Sequence, residues 1–173
     1  SRGEHPHIAD LAATLFGGGM SAPLVDAVRE RLGLAYSVSA TADIGDVHGA
    51  LVVDAITSPD KLPAFTAELS RLLAGHATGV AEKDLSRARN QLLVSLVRSA
   101  ERPMRFLQRC VEHQWATGQA FDSDAASEAI NSISKEEVRG VFEAMLTQPP
   151  ATVLVGAGAT LKNARALQAA LRR

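Results

Sequence analysis

The side chains best suited to metal binding or proton transfer near neutral pH are histidines, and this sequence has five: His5, His7, His48, His76 and His113. No two of them enclose a glutamate at the helical spacing of a zinc peptidase, in either H-E-x-x-H or H-x-x-E-H order. His5-Pro6-His7 has the donors to chelate a divalent ion, but its position near one end reads as a frayed terminus. His48 on a strand and His113 in a helix have no partner at a useful spacing. The single cysteine, Cys110, can form neither an internal disulfide nor a cysteine zinc site. Its place in a helix beside Val111 predicts a buried, inert thiol. A serine nucleophile would need a G-x-S-x-G elbow, which is absent. Gly156-Ala157-Gly158-Ala159 lies between a strand and a helix, as a dinucleotide loop would, but it lacks the phosphate-binding lysine pattern and has little chain after it for a βαβ unit.

Composition narrows the field further. The 173 residues are 46% hydrophobic and 21% charged, with 18 basic against 19 acidic side chains, so the net charge of −1 favours neither a polyanion nor a membrane surface. No apolar run approaches the roughly 20 residues needed to span a bilayer, and no leader-like segment opens the sequence. A soluble protein of the bacterial cytoplasm or periplasm is expected. The charge is unevenly spread: residues 1–60 carry 3 basic and 8 acidic side chains, while Lys83, Arg87, Arg89, Arg98, Arg102, Arg105 and Arg109 face only Asp84 and Glu101 between 83 and 109. Such a stripe could meet phosphates, but no aromatic interleaves the arginines, and a solvated or internally paired helical face is the expectation, without a nucleic-acid partner.

The elements that carry these residues can be read from periodicity. Ile8, Leu11 and Leu15 mark an amphipathic helix that Gly17-Gly18-Gly19 must end. Ser21 is placed to cap a second short helix with the stripe Leu24, Val28, Leu32, and Gly33 sits where a left-handed residue closes it. From Tyr36 the period changes to two, giving a strand to Ala42, a turn at Asp43–Asp46 and a returning strand over Val47–Ile56. Ser58-Pro59 reads as a helix start, with Leu62, Phe65, Leu69 and Leu72 continuing to about Gly75. Helices are predicted over Lys83–Ala100, from Pro103 to near Gly118, over Asp122–Asn131, from the capping box at Ser134-Lys135-Glu136-Glu137 to about Leu146, and over Thr160–Leu171. Thr152–Val155 is predicted as a short buried strand after the break at Pro149-Pro150. The fold class is therefore α+β: two layers, a small, mainly antiparallel sheet packed against several helices. Three strands are few for so many helices, so an open sheet edge and the absence of one or more preceding strands are expected.

The stretch Leu15–Val38 carries the most specific pattern: Gly17-Gly18-Gly19-Met20-Ser21, then Arg29-Glu30, then Gly33-Leu34-Ala35-Tyr36-Ser37-Val38. In this order and spacing it resembles the non-catalytic, C-terminal homologous half of the pitrilysin and mitochondrial-processing-peptidase family of zinc peptidases. Ala81–Leu96 resembles the family's long helix, and Ile130–Leu146 with Val153–Gly156 its closing helix-strand unit, so the likeness runs from about Ile8 to Gly156. It departs at Pro23, where the family often carries an arginine.

The resemblance implies one domain over 1–173, part of a longer chain, that holds no metal itself. It implies a homologous zinc-bearing domain or subunit as partner, in a dimeric or two-half clam-shell assembly enclosing a peptide substrate. Residue by residue, a family arginine and tyrosine that point into the partner's zinc site correspond to Arg29 and Tyr36, and the glycine segment Gly17, Gly18, Gly19, Met20 and Ser21 corresponds to a loop bordering the substrate path. A phenol and a guanidinium are suitable donors to the negative oxygen formed when zinc-activated water attacks a peptide carbonyl. From the residues alone, Tyr36 could equally anchor its strand in the core and Arg29 pair with Asp26. The implied function is thus the non-catalytic half of a zinc metalloendopeptidase, inactive alone. The alternative is a catalytically silent scaffold of the same fold, as in the core subunits of the respiratory cytochrome bc complex.

Overall fold

A computed structural model describes residues 7–45 and 49–172. The paired histidines at 5 and 7, the turn end at Asp46, the start of the second strand at Val47 and His48 thus lie wholly or partly outside the described residues. The chain opens with α1 (Ile8–Gly17), followed by a single α-turn, α2 (Pro23–Val25), that widens directly into a π-helical turn over Asp26–Arg31. Strands β1 (Ser37–Ile44) and β2 (Gly49–Ile56) pair antiparallel, with Ser37 opposite Ile56 and Ala40 opposite Val53. The rest is helical: α3 (Leu62–Thr78), α4 (Glu82–Ala100), α5 (Pro103–Thr117), α6 (Ser123–Ser132), α7 (Lys135–Leu146) and α8 (Leu161–Ala170). The fold is α+β, with a two-stranded sheet and eight helices among the described residues.

One apolar cluster unites these elements. Leu11, Leu15 and Phe16 of α1, Leu24 of α2, Val28 of the π-turn, Leu85 of α4, and Val138 and Phe142 of α7 are all essentially inaccessible to solvent. Each contributes roughly 1.5–3 kcal/mol of burial. Phe16, His76 and Phe142 stack as a ring trio with centroids 5.2–5.6 Å apart, and the Nδ1 of His76 lies 2.7 Å from the Leu72 carbonyl. The sheet offers this core one face: Val38 and Ala40 of β1 are buried, whereas Ser39 and Thr41 between them are exposed. That is the predicted alternation from Val38 onwards, but Tyr36, expected on the same apolar face, is exposed.

Several local predictions hold in detail. The Ser134 side chain accepts from the Glu137 amide while the Glu137 carboxylate accepts from the Ser134 amide, completing the capping box. Gly33 has the expected positive φ, +57°, and α5 ends as expected just before Gly118, whose φ is +73°. Other expectations need correction. Ser21 does not cap α2; Ala22 holds that position, and Pro23 provides the preset φ of the first turn. Leu32 leaves the apolar stripe and is 53% exposed, because the extra residue per turn in the π segment rotates it away from Leu24 and Val28. Ser58-Pro59 forms a turn instead of a helix start, and α3 begins at Leu62, continuing to Thr78.

The largest correction concerns Thr152–Val155, which belongs to no sheet and is not buried. Thr152 and Leu154 rest half-buried on the protein, while Val153 and Val155 are 84% and 94% exposed. The alternation is that of a strand, but no neighbouring strand among the described residues supplies a ladder. Cys110 is likewise half-buried instead of enclosed.

Candidate functional site

Arg29 and Tyr36 flank a turn that is held from several sides. The π segment is defined by the Leu32 amide donating to the Ala27 carbonyl at 3.1 Å, and it ends where the Gly33 amide donates to the Arg29 carbonyl at 3.2 Å. The Leu34 amide reaches back to the Val28 carbonyl at 2.8 Å. The two carbonyls exposed by this reversal are then taken from the segment after β2: Lys61 Nζ donates to Gly33 O at 2.8 Å and Thr57 Oγ1 to Leu34 O at 2.6 Å. Ala35 is buried, and the Tyr36 amide donates to the Ile56 carbonyl at 2.8 Å, so the sheet ladder begins at that residue. The backbone between the two candidate residues is therefore fixed at nearly every step.

Their side chains are not enclosed. Tyr36 is 83% exposed, so its ring does not anchor β1 in the core. Arg29 is exposed too, and its Nε lies 3.5 Å from the Glu30 carboxylate; Asp26 pairs instead with Arg31 at 2.8 Å. No hydrogen bond joins Arg29 to Tyr36. The two residues share one rigid turn with both polar groups available to a partner. Lys61 and Thr57, which fasten that turn, had no sequence signal, since their partners are backbone carbonyls 28 and 23 residues away.

The glycine segment divides into a structural and an exposed part. Gly17, the last residue of α1, is buried against β1, where a Cβ would lie 2.5 Å from the Ala40 amide nitrogen. Gly18 ends the helix, and a Cβ there would strike the Thr14 carbonyl at 2.6 Å. Gly19 adopts φ +93°, a conformation natural to glycine, and the Ala22 amide donates to its carbonyl at 3.0 Å. From Gly19 to Ser21 the segment faces solvent, with Met20 67% exposed. Of the five candidate substrate-binding residues, Gly17 and Gly18 thus set the packing and Gly19, Met20 and Ser21 present a surface.

Arg87 of α4 holds this segment in place. Its Nη2 donates to the Leu15 carbonyl at 2.7 Å and its Nη1 to the Gly18 carbonyl at 3.2 Å, satisfying the free end of α1. Burial pushes the Arg87 guanidinium below its usual pKa, with Asp84 partly opposing the shift. Arg89 acts similarly towards Ile133, donating from Nη2 to that carbonyl. Both belong to the basic run expected to form a solvated or internally paired helical face; their carbonyl partners are visible only once α1 and the α6–α7 connection are in place. Among the described residues no three His, Cys, Asp or Glu side chains gather as a metal-holding group, and the donor set around Arg29 and Tyr36 does not suit zinc. No helix among them is long and apolar enough to cross a membrane.

The chain belongs to the peptidase M16 inactive domain family, whose profile matches residues 4–92. It is 26% identical over 153 residues to an uncharacterized zinc protease of Rickettsia felis, covering 88% of this chain and 37% of that protein. In fold it is similar to a peptidase M16 inactive domain from Pseudomonas fluorescens, with a TM-score of 0.71 and 17% identity over 80% of this chain and 34% of that one. A chain of complex III2 from Candida albicans is similar to it with a TM-score of 0.70 and 18% identity, over 82% and 36% respectively. The chain thus spans 24–38% of the length of the curated relatives it matches.

Proposed function

We propose that residues 1–173 form the zinc-free half of a zinc metalloendopeptidase, part of a longer protein or one subunit of a pair. In this reading it binds an extended peptide and completes an active site whose metal is held by another domain or subunit. Arg29 and Tyr36 are its two donors to that site, and Gly19, Met20 and Ser21 border the peptide's path, placed by Gly17 and Gly18. The observation that carries the reading is the exposure of Tyr36, a large aromatic residue at the first rung of the sheet with no packing role, beside an exposed Arg29 on one pinned turn. Exposing a tyrosine ring forfeits its burial energy, and a fixed backbone beneath it is what a positioned donor requires.

The test is made on the assembly with its zinc-bearing half. Tyr36→Phe should lower peptide turnover by roughly 10²–10³, the cost of losing one oxyanion donor. Arg29→Lys should also impair turnover, because an ammonium cannot reproduce the planar guanidinium fork. Turnover within about twofold for both variants, less than 0.5 kcal/mol of barrier, would remove the pair from the chemistry and favour the scaffold reading.

A further inference from the structure

The basic run between 83 and 109 separates in three dimensions into two sets. Arg87 and Arg89 spend their guanidinium groups on backbone carbonyls, as described above. Arg98, Arg102 and Arg105 do the opposite: all three are exposed, and among the described residues their guanidinium groups meet no hydrogen-bond or ion-pair partner. They line one groove of about 690 Å³ between α4 and α5, together with Arg109, Gln91 and Gln108. Its lining is mostly polar, where packed helices usually present apolar residues to each other. Its lining includes one carboxylate, Glu112, which already accepts from Gln108 Nε2 at 2.7 Å. Arg109 also lies over the Phe121 ring, 5.8 Å from its centroid. In a chain of net charge −1, this is a local concentration of uncompensated positive charge.

The groove is continuous with the glycine segment. Gln91 lines it and also stands beside Gly19, where a Cβ would come within 3.4 Å of Gln91 Nε2. Arg87, which holds the Gly18 carbonyl, donates to Gln91 Oε1 at 3.4 Å. A peptide passing the exposed glycines would therefore meet Gln91 and then the arginines.

We propose that this groove receives an acidic stretch of the peptide substrate, an assignment that rests on the peptide-binding reading above and adds a substrate class to it. Guanidinium forks match carboxylates in pairs, and side-chain amides can pair with an extended backbone. Charge complementarity selects an anionic occupant, and the lining selects a peptide over a nucleic acid. No aromatic side chain enters this groove; Phe106, Trp115 and Phe121 line a separate apolar hollow with Cys110 and Val111, so bases would find no stacking surface.

The experiment measures binding to the 173-residue chain by fluorescence anisotropy, using labelled glutamate-rich, lysine-rich and neutral peptides of equal length and a single-stranded oligonucleotide. The glutamate-rich peptide should bind about tenfold or more tighter than the neutral one, weakening with added salt. The combined variant Arg98→Gln, Arg102→Gln, Arg105→Gln should abolish that preference while leaving neutral-peptide binding unchanged. Arg165→Gln, an exposed arginine outside the groove, should leave it intact, and circular dichroism melting should show all variants folded. Equal binding of acidic and neutral peptides, or a preference that survives the triple variant, overturns this inference alone. Binding of no peptide at all overturns the peptide-binding reading with it. An oligonucleotide that outcompetes the glutamate-rich peptide overturns the choice of occupant.

Discussion

Gly17 and Ala40 meet so closely that a β-carbon on Gly17 would lie 2.5 Å from the Ala40 amide nitrogen and 2.6 Å from its Cβ. The end of α1 rests directly on β1 at this point, and the obstructing atoms are strand backbone and the Cβ fixed to it, which cannot give way without disturbing the β1–β2 ladder. Gly17→Ala should therefore destabilise the chain by about 1–3 kcal/mol, the usual cost of forcing extra volume into a packed core. Gly75→Ala makes the contrast. Gly75 lies within α3, a Cβ there would meet nothing within 4 Å, and the substitution should stabilise by roughly 0.4–1 kcal/mol. Chemical denaturation of the two variants checks both signs.

Arg87→Met should cost about 1–3 kcal/mol, because it keeps an unbranched stem but leaves the Leu15 and Gly18 carbonyls without their donor. Protection of the amides from Gly18 to Ala22 against hydrogen exchange should fall more than that of α7. Equal loss across both regions would mean that Arg87 supports the whole core instead of the glycine segment.

Tyr36→Ala should change unfolding free energy by less than about 0.5 kcal/mol, as surface substitutions away from packed features do. Its ring is 83% exposed, so little burial is lost. A loss of about 2 kcal/mol or more in a denaturation curve would return Tyr36 to a structural role.

His7 should make stability fall on mild acidification, while Asp10, whose carboxyl burial pushes above its usual pKa, contributes in the opposite direction at lower pH. Burial holds the His7 pKa below its usual 6.5 in the folded chain, with the nearby Asp10 partly opposing it. As pH drops from above 6.5, the unfolded chain takes up the proton first, so the unfolded state is favoured until the folded pKa is also passed. His7→Gln should flatten this part of the profile when melting is followed between neutral and mildly acidic pH.

Much of the architecture was legible in the sequence because it depends on neighbours in the chain. The alternation from Val38, the capping box from Ser134 to Glu137 and the positive φ of Gly33 are local consequences of residue type. The glycine segment, with Arg29 and Tyr36 beyond it, stood out through its resemblance to the family's motif, and the residues by themselves left the roles of the pair open. What the sequence left open was settled by groups distant along the chain. Whether an arginine of the 83–109 run is free depends on which carbonyl lies within its reach. α1 and the residues before α7 claim Arg87 and Arg89, and nothing among the described residues claims Arg98, Arg102 or Arg105. Thr152–Val155 has the pattern of a strand, yet a strand requires a partner ladder, and a pattern cannot supply one. The π-turn that exposes Leu32, and the lysine and threonine that pin the turn between Arg29 and Tyr36, likewise arise from contacts that only the packed chain creates.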